Sequence, residues 1–286
     1  MANTLWHILL SMMQVFERWW HQKLGKPYYL AKPIDSGSGQ LIVLLHGIGR
    51  TSRVWRHLVK QLDQLPVRVV AFDLLGFGES PKPNWLTYDV DDHVKAVVNS
   101  IERLKPDGPA IIVGHSMGCL VAVRLAAQRP DLVHHLVLYE MPLYKGLPNK
   151  RYYKLRLNFY TKLYKWLLQY EPIVKGRKIT FSDRLAQRFS DLKIDRVSWL
   201  PYIRSLQNTI YEQTAPEDIP KLNIPMDVIY GSLDMLVIKG NVSYIYGEAD
   251  NKMQIYTIRA GHRVTLKASK LIKQRIVATL KLPAHA

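Results

Sequence analysis

A serine between two glycines lies where a buried strand is predicted to meet a helix. Gly114-His-Ser-Met-Gly118 directly follows an apolar run that ends at Val113, and a helical pattern begins at Met117. A sharp turn at this point strains the serine backbone and projects its hydroxyl outward, while the flanking glycines leave room for neighbouring chain. Ser116 is therefore the predicted nucleophile.

A serine hydroxyl is a weak nucleophile at neutral pH and needs a base that takes its proton. His262 is the predicted base, because it lies in the loop after the last predicted strand, where its imidazole can reach back over the sheet. Four other histidines are less suitable, because they are interpreted as structural or as lying away from the site: His46, His115, His134 and His135.

The second N–H of that imidazole needs an acceptor, which fixes the tautomer and stabilises the cation formed during attack. Asp234 is the predicted acceptor, since it lies just beyond the strand predicted at residues 226–230. Glu140, after the preceding strand, is the rival acid, and Asp250, before the last strand, is a weaker alternative. An oxyanion formed by acyl transfer also needs two N–H donors, of which Met117 is predicted to supply one.

These residues are positioned by strands that alternate with helices. Continuous apolar runs predict strands covered on both faces at residues 41–45, 67–72, 110–113, 136–139, 226–230 and 253–258. Helical patterns lie between them at residues 51–64, 90–104, 117–128 and 267–280. The alternation predicts an α/β protein with a doubly wound, mostly parallel sheet, whose active site gathers at the carboxyl ends of the strands. Residues 35–39 are predicted to form a flexible turn.

The alternation fails between residues 143 and 215, where helical stretches are broken by prolines and a glycine. We therefore predict three parts: an amphipathic N-terminal helix over residues 1–26, an α/β core over residues 27–142 and 216–286, and a helical lid over residues 143–215. The lid is rich in Lys, Arg and Tyr. A solvated outer face explains this composition, and attraction to a membrane or an anionic substrate is the alternative.

Composition narrows the function classes. The chain has 286 residues, 48% hydrophobic residues and a formal net charge of +17, which favours a globular protein attracted to polyanions or anionic membranes. Its single cysteine, Cys119, excludes an intrachain disulfide and a multi-cysteine zinc site. No metal or organic cofactor is expected. Nucleic acid is not an expected partner, because no recognisable binding module accompanies the basic residues.

The amino terminus has the pattern of an amphipathic helix. Polar residues interrupt its apolar run and no secretory pattern is evident, so neither a membrane span nor a signal peptide is predicted. One face carries the apolar residues Leu5, Leu9, Met12, Met13, Phe16 and Trp20. This face either packs on the protein's own core or contacts a membrane interface. We expect a cytoplasmic protein, with association at a membrane surface as a further hypothesis.

These segments make the chain resemble the α/β-hydrolase superfamily, in the branch with an HG-x oxyanion loop and a helical lid after the sixth strand. The resemblance covers residues 27–142 and 216–282. It implies a Ser-His-Asp triad in the chain order Ser116, Asp234, His262 and an acyl-enzyme intermediate. It also implies that Ile48, after His46-Gly47, supplies the second oxyanion N–H. Residues 73–80 match D-x-x-G-x-G-x-S, interpreted as a structural turn.

The leading functional hypothesis is a serine hydrolase that cleaves a carboxylic ester in a small-molecule acyl substrate, with monoacylglycerol-like substrates as a narrower hypothesis. A serine at position 116 argues against the dehalogenases and epoxide hydrolases of the superfamily, which use a carboxylate nucleophile. Two alternatives stay open. The same triad could cleave a carbon–carbon or amide bond, or the chain could bind a ligand without turnover.

Overall fold

A seven-stranded sheet forms the centre of the protein, in a computed structural model that describes residues 12, 15–144, 199–248 and 252–280. The strand order is β1-β3-β2-β4-β5-β6-β7. All neighbouring pairs are parallel except β1 with β3. The strands are β1 (Ile34–Gly37), β2 (Gln40–Leu45), β3 (Val67–Phe72), β4 (Ala110–His115), β5 (Val133–Tyr139), β6 (Met226–Gly231) and β7 (Met253–Ile258).

Burial on both faces explains why the central strands are mainly apolar. Every residue of β4 is buried, as expected for a parallel strand with helices above and below it. The register brings the strand ends to one level, since Gly114 in β4 pairs with Leu45 in β2 and with Leu138 in β5. The residues that follow these three strands therefore share the carboxyl edge of the sheet.

Helices cover the sheet from both sides. The first, α1, spans residues 15–22. The others are α2 (Arg56–Leu62), α3 (Val90–Leu104), α4 (Met117–Gln128), α5 (Trp199–Ser205), α6 (Ala215–Asp218), α7 (Lys239–Glu248) and α8 (Leu266–Thr279). α3 and α4 pack against one face of the sheet, while α2 and α8 pack against the other. The predicted doubly wound α/β architecture is thus confirmed.

Several elements differ from the sequence predictions. Residues 34–37 form the edge strand β1, where a flexible turn was predicted over residues 35–39; three of its four residues are exposed, so no buried pattern marks it. α7 was not predicted, because its apolar residues have little amphipathic periodicity. The predicted helix over residues 51–64 is a 3₁₀ turn (Ser52–Trp55) followed by the shorter α2.

The predicted lid is described only in part. Residues 145–198 lie outside the described residues, and α5 continues into a π-helical segment (Leu206–Tyr211). This helical region follows β5, the fifth strand of this chain. The resemblance had placed the lid after a sixth strand. Tyr202 and Ile210 pack into the core beneath it, and Arg204 donates hydrogen bonds to the carbonyls of Asn84 and Leu86.

The described members of the N-terminal apolar face, Met12, Phe16 and Trp20, are exposed to solvent. This part of the face therefore does not pack on the core. The other predicted members, Leu5, Leu9 and Met13, lie outside the described residues. None of the helices in the described ranges combines the length and apolar composition needed to cross a bilayer.

Candidate active site

Ser116 occupies a strained turn between β4 and α4. Its φ and ψ angles are 52° and −120°, a backbone conformation that L-residues rarely adopt and that must be held by its surroundings. The Ser116 N–H donates to the carbonyl of Tyr139 on β5 over 3.0 Å, which fixes one side of the turn. The serine is therefore held at the carboxyl edge of the sheet, as the motif predicted.

Two glycines allow this turn to pack closely. A Cβ on Gly118 would lie 2.2 Å from the carbonyl oxygen of Leu45, and one on Gly114 would lie 2.7 Å from the backbone of Cys119. Backbone atoms cannot move away from such overlaps cheaply, so both positions require glycine. The spacing G-x-S-x-G thus has a packing cause in this structure.

Three side chains from distant parts of the chain form one hydrogen-bonded relay. The hydroxyl of Ser116 lies 3.0 Å from His262 Nε2, and His262 Nδ1 lies 2.7 Å from Asp234 Oδ2. Since a carboxylate accepts only, Nδ1 carries the proton and Nε2 is left free to accept from the serine. Asp234 is buried, while His262 is partly exposed. The structure brings the predicted triad residues together in the geometry that proton transfer requires.

The electrostatics of Asp234 keep it ionised. Burial acts to raise its pKa, but the hydrogen bond from His262 and the neighbouring Glu140 carboxyl group outweigh burial and lower the pKa to about 2. The backbone N–H of Leu236 also donates to Asp234 Oδ1 over 2.7 Å. A permanently charged carboxylate suits the acceptor of the relay.

Glu140, the rival acid, lies in the same cluster rather than in a separate site. It is fully buried, and burial followed by its contact with Asp234 raises its pKa to about 9. Among the described residues, Glu140, Asp234 and His262 offer metal-ligand atoms within 4.8 Å of one another. Because His262 Nδ1 and Asp234 Oδ2 are hydrogen bonded to each other, these atoms already have partners. Asp250 lies outside the described residues.

The loop that carries His262 is held by two residues whose role the sequence did not reveal. His115 Nε2 lies 2.8 Å from the backbone carbonyl of His262, and the hydroxyl of Tyr139 lies 3.0 Å from the carbonyls of both Gly261 and Arg263. The interpretation of His115 as structural agrees with this contact, but the sequence does not indicate its partner. The sequence offers one indication for each residue: His115 directly precedes Ser116, and Tyr139 lies at the end of the strand predicted at residues 136–139.

The predicted oxyanion loop lies against the serine turn. A Cβ on Gly47 would lie 3.0 Å from the Cβ of Ser116. Gly47, the residue before Ile48, is therefore packed directly against the nucleophile. Met117 is the first residue of α4, where N–H groups lack partners within the helix. Both predicted N–H donors, those of Ile48 and Met117, thus belong to segments that meet at Ser116.

Residues 73–80 form the structural turn that the sequence predicted. Asp73 Oδ1 accepts from the N–H of Ser52 and its Oδ2 accepts from the N–H of Glu79. The N–H of Leu74 donates to His46 Nε2 over 2.8 Å. These bonds fasten the predicted oxyanion loop to the end of β3, and His46 is structural, as predicted.

The order of the sheet and the cluster at its carboxyl edge are those of the α/β-hydrolase fold. A family model described as the alpha/beta hydrolase fold matches residues 40–266, and the chain belongs to this family.

Curated relatives include several kinds of hydrolase. The chain is 36% identical over 121 residues to the probable lysophospholipase BODYGUARD 4 of Arabidopsis thaliana, which is 42% of this chain and 28% of that protein. It is 39% identical over 100 residues to lipase LipV of Mycobacterium tuberculosis, which is 35% of this chain and 36% of the lipase. The alignments thus span about a third of these relatives.

Solved structures share the fold across nearly the whole chain. An esterase from Thermogutta terrifontis has a TM-score of 0.68 at 16% identity, covering 90% of this chain and 98% of the esterase. An epoxide hydrolase from Bacillus megaterium has a TM-score of 0.66 at 23% identity, covering 87% of this chain and 96% of the epoxide hydrolase. At these identities the likeness concerns the fold.

Proposed function

We propose that the protein is a serine hydrolase that cleaves a carboxylic ester through an acyl-enzyme on Ser116. The observation that carries the proposal is the relay in which His262 Nε2 lies 3.0 Å from the serine hydroxyl and Nδ1 lies 2.7 Å from Asp234. A hydroxyl, an oriented base and an ionised acceptor are the groups that nucleophilic acyl transfer needs.

The reaction follows from these contacts in two halves. His262 takes the serine proton as Oγ attacks the acyl carbonyl, then gives it to the alcohol oxygen as the ester bond breaks. In the second half, His262 takes a proton from water, whose oxygen attacks the acyl-enzyme, and returns it to Ser116 as the acid leaves. The N–H groups of Ile48 and Met117 stabilise the oxyanion of each tetrahedral intermediate.

The experiment is turnover of p-nitrophenyl acyl esters of increasing chain length. We expect a burst of one p-nitrophenolate per protein if deacylation is slower than acylation, and loss of activity in Ser116→Ala. Ser80→Ala is a matched control, since Ser80 is also buried but lies in the structural turn. Ester turnover that survives in Ser116→Ala would contradict the proposal.

A carbon–carbon or amide hydrolase is the second candidate, and the name of one relative supports it. One relative, 33% identical over 108 residues, is a 2-hydroxy-6-oxo-6-(2'-aminophenyl)hexa-2,4-dienoic acid hydrolase of Metapseudomonas resinovorans. The same Ser116 variant should then lose activity on a diketone or amide panel. Turnover on esters that exceeds turnover on both panels supports the ester proposal.

We also propose that the protein contacts anionic membranes through α1 and the turn after it, and takes lipid-derived esters there. Phe16, Trp19 and Trp20 are 60%, 48% and 40% exposed. The ring of Phe16 lies 5.9 Å from each tryptophan ring, so the three form one continuous apolar patch. Leu24, in the turn after α1, is also exposed. An exposed aromatic patch of this kind fits the headgroup region of a bilayer.

Charge favours a negative surface as the partner of this patch. Arg18, Lys23 and Lys26 lie within the same short segment, and Lys26 Nζ lies 5.6 Å from the centre of the Trp20 ring. The segment is fixed to the fold, since His21 stacks on Tyr28 at 3.7 Å and the N–H of Leu30 donates to Ser100 Oγ. A bilayer bound here would be held at a set orientation to the core.

Vesicle sedimentation tests this contact. We expect the protein to bind phosphatidylglycerol-containing vesicles, and the F16A/W19A/W20A variant to lose this binding while it keeps turnover of a water-soluble ester. Tyr244→Ala removes an equally exposed aromatic side chain from α7 and should bind normally. Equal sedimentation of the triple variant would contradict the contact, and so would a concentration-dependent dimer that the triple variant abolishes.

A further inference from the structure

Glu140 is a buried carboxyl group that the relay does not use directly. It follows β5 in a left-handed conformation with φ of 55°, which aims its side chain along the carboxyl edge of the sheet toward β6. Its Oε1 accepts the N–H of Gly231, at the end of β6, over 2.7 Å. Its Oε2 is fully buried and finds no hydrogen-bond donor of good geometry in the described part of the chain.

The carboxyl group of Glu140 lies beside the carboxylate of the relay. Glu140, Asp234 and His262 all offer polar atoms within 4.8 Å of one another, and both carboxyl groups are buried. Two adjacent carboxylates removed from water repel each other strongly, so one of them holds a proton. Both carboxyl groups accept a backbone N–H, but Asp234 also accepts the Nδ1–H of His262, so the proton belongs on Glu140.

We propose that Glu140 is a protonated acid at neutral pH that donates its O–H to the Asp234 carboxylate and so positions the acceptor of the relay. It is a positioning residue, since it acts on His262 through Asp234. The inference rests on the proposed function only for its kinetic consequences, because the location of the proton is a property of the folded protein.

The titration of this cluster agrees with the geometry. Burial and, after it, the contact with Asp234 together raise the pKa of Glu140 to about 9. Other ionisable groups also face this carboxyl: Tyr139 beside it in the chain, Cys119 from α4 and His262 from the loop after β7. Burial raises the pKa of the Tyr139 phenol and the Cys119 thiol, so both stay neutral across the working range.

The decisive variant is Glu140→Gln, compared with Glu140→Leu. Glutamine can accept from Gly231 with its oxygen and donate to Asp234 with its amide, as the protonated acid does. We expect Glu140→Gln to keep kcat near the wild-type value at pH 7. Glu140→Leu should lower kcat about tenfold or more with little change in KM, because Asp234 loses a buried donor. Above about pH 9 the wild type should lose activity and Glu140→Gln should not.

A stability measurement separates this inference from the enzyme proposal. A Glu140 pKa above its ordinary value means that the folded protein holds a proton that the unfolded chain releases between about pH 4.5 and 9. Wild-type stability should therefore fall, relative to Glu140→Gln, as pH rises through this window. This result stands even if no ester is turned over.

Two outcomes would overturn the inference. The first is a kcat in Glu140→Gln as low as that in Glu140→Leu, which would show that a charged Glu140 is needed. The second is a stability difference between wild type and Glu140→Gln that does not change with pH. Should Glu140→Leu fail to fold, the glutamine variant decides the question alone.

Discussion

The imidazole of His115 donates its Nε2–H to the backbone carbonyl of His262 over 2.8 Å. Burial, together with the nearby His262, lowers the pKa of His115 to about 3, so the ring is neutral and Nε2 must carry its proton. His115, the residue before Ser116, therefore holds the loop that carries His262. The turn at Ser116 and the base are thus fixed to each other by a second route besides the relay itself.

His115→Phe tests this connection. Phenylalanine keeps a ring stacked near Tyr139 but removes the donor, so we expect kcat to fall about tenfold, the value of one buried hydrogen bond, with KM nearly unchanged. His134→Phe changes an exposed histidine and serves as the control. Steady-state kinetics with a soluble ester measures both, and a kcat equal to wild type in His115→Phe would show that the bond does not position His262.

Asp234→Asn tests the role of charge and tautomer at the relay. An amide can donate to His262 Nδ1 and so favours the tautomer whose Nε2 carries the proton, which cannot accept from Ser116. We expect kcat to fall by about 10⁴, with the fold retained because the side chain keeps its shape. A loss smaller than tenfold would mean that Asp234 does not orient the base.

Gly118→Ala tests the packing explanation of the serine motif. Because its Cβ would lie 2.2 Å from the Leu45 carbonyl oxygen, we expect a loss of about 3 kcal/mol or more in the free energy of unfolding. Gly108→Ala is the matched control, since nothing lies within 4 Å of a Cβ there, and its effect should be below about 1 kcal/mol. Denaturant titration compares the two. Equal stabilities would refute the close approach of α4 to β2.

Three buried histidines predict a pH dependence of stability. Burial lowers the pKa of His46 to about 4 and that of His93 and His115 to about 3. Unfolding therefore takes up protons as pH falls below about 6.5, and each group lowers the free energy of unfolding by up to about 1.4 kcal/mol per pH unit. Glu140 raises the free energy of unfolding as pH falls toward about 4.5. The net loss of stability over this range is therefore smaller than the sum of the three histidine contributions.

The variant His93→Gln isolates one of these protons. His93 lies in α3 and its Nε2 is 3.1 Å from Ser205 Oγ, a contact that glutamine can retain. We expect the slope of unfolding free energy between pH 6 and 4.5 to be lower in this variant by about one proton. An unchanged slope would mean that His93 is protonated in the folded protein.

The sequence predicted those parts of the fold that depend on burial. Apolar runs located the six strands from β2 to β7, because strand segments covered on both faces are mainly apolar. The edge strand β1 was missed, since its exposed residues follow no buried pattern. The bounds of α3 and α4 were predicted as observed, since both helices have a buried face on the sheet.

The candidate site was predictable where a residue type and its place at a strand end coincide, as for Ser116, Asp234 and His262. The supporting bonds were not predictable. The contact from His115 runs to a backbone carbonyl, and that carbonyl carries no side-chain signature in sequence. Glu140 was weighed only as a substitute for Asp234, because nothing in a sequence shows that two carboxyl groups occupy one buried cluster.

Covalent labelling of Ser116 tests the central proposal most directly. The folded protein would be treated with a fluorophosphonate probe and the modified peptide identified by mass spectrometry. We expect one adduct per chain, on Ser116, that is absent in Ser116→Ala and forms far more slowly in His262→Gln. A folded wild-type protein that takes no adduct on Ser116, or one that is labelled at the same rate without His262, would contradict it.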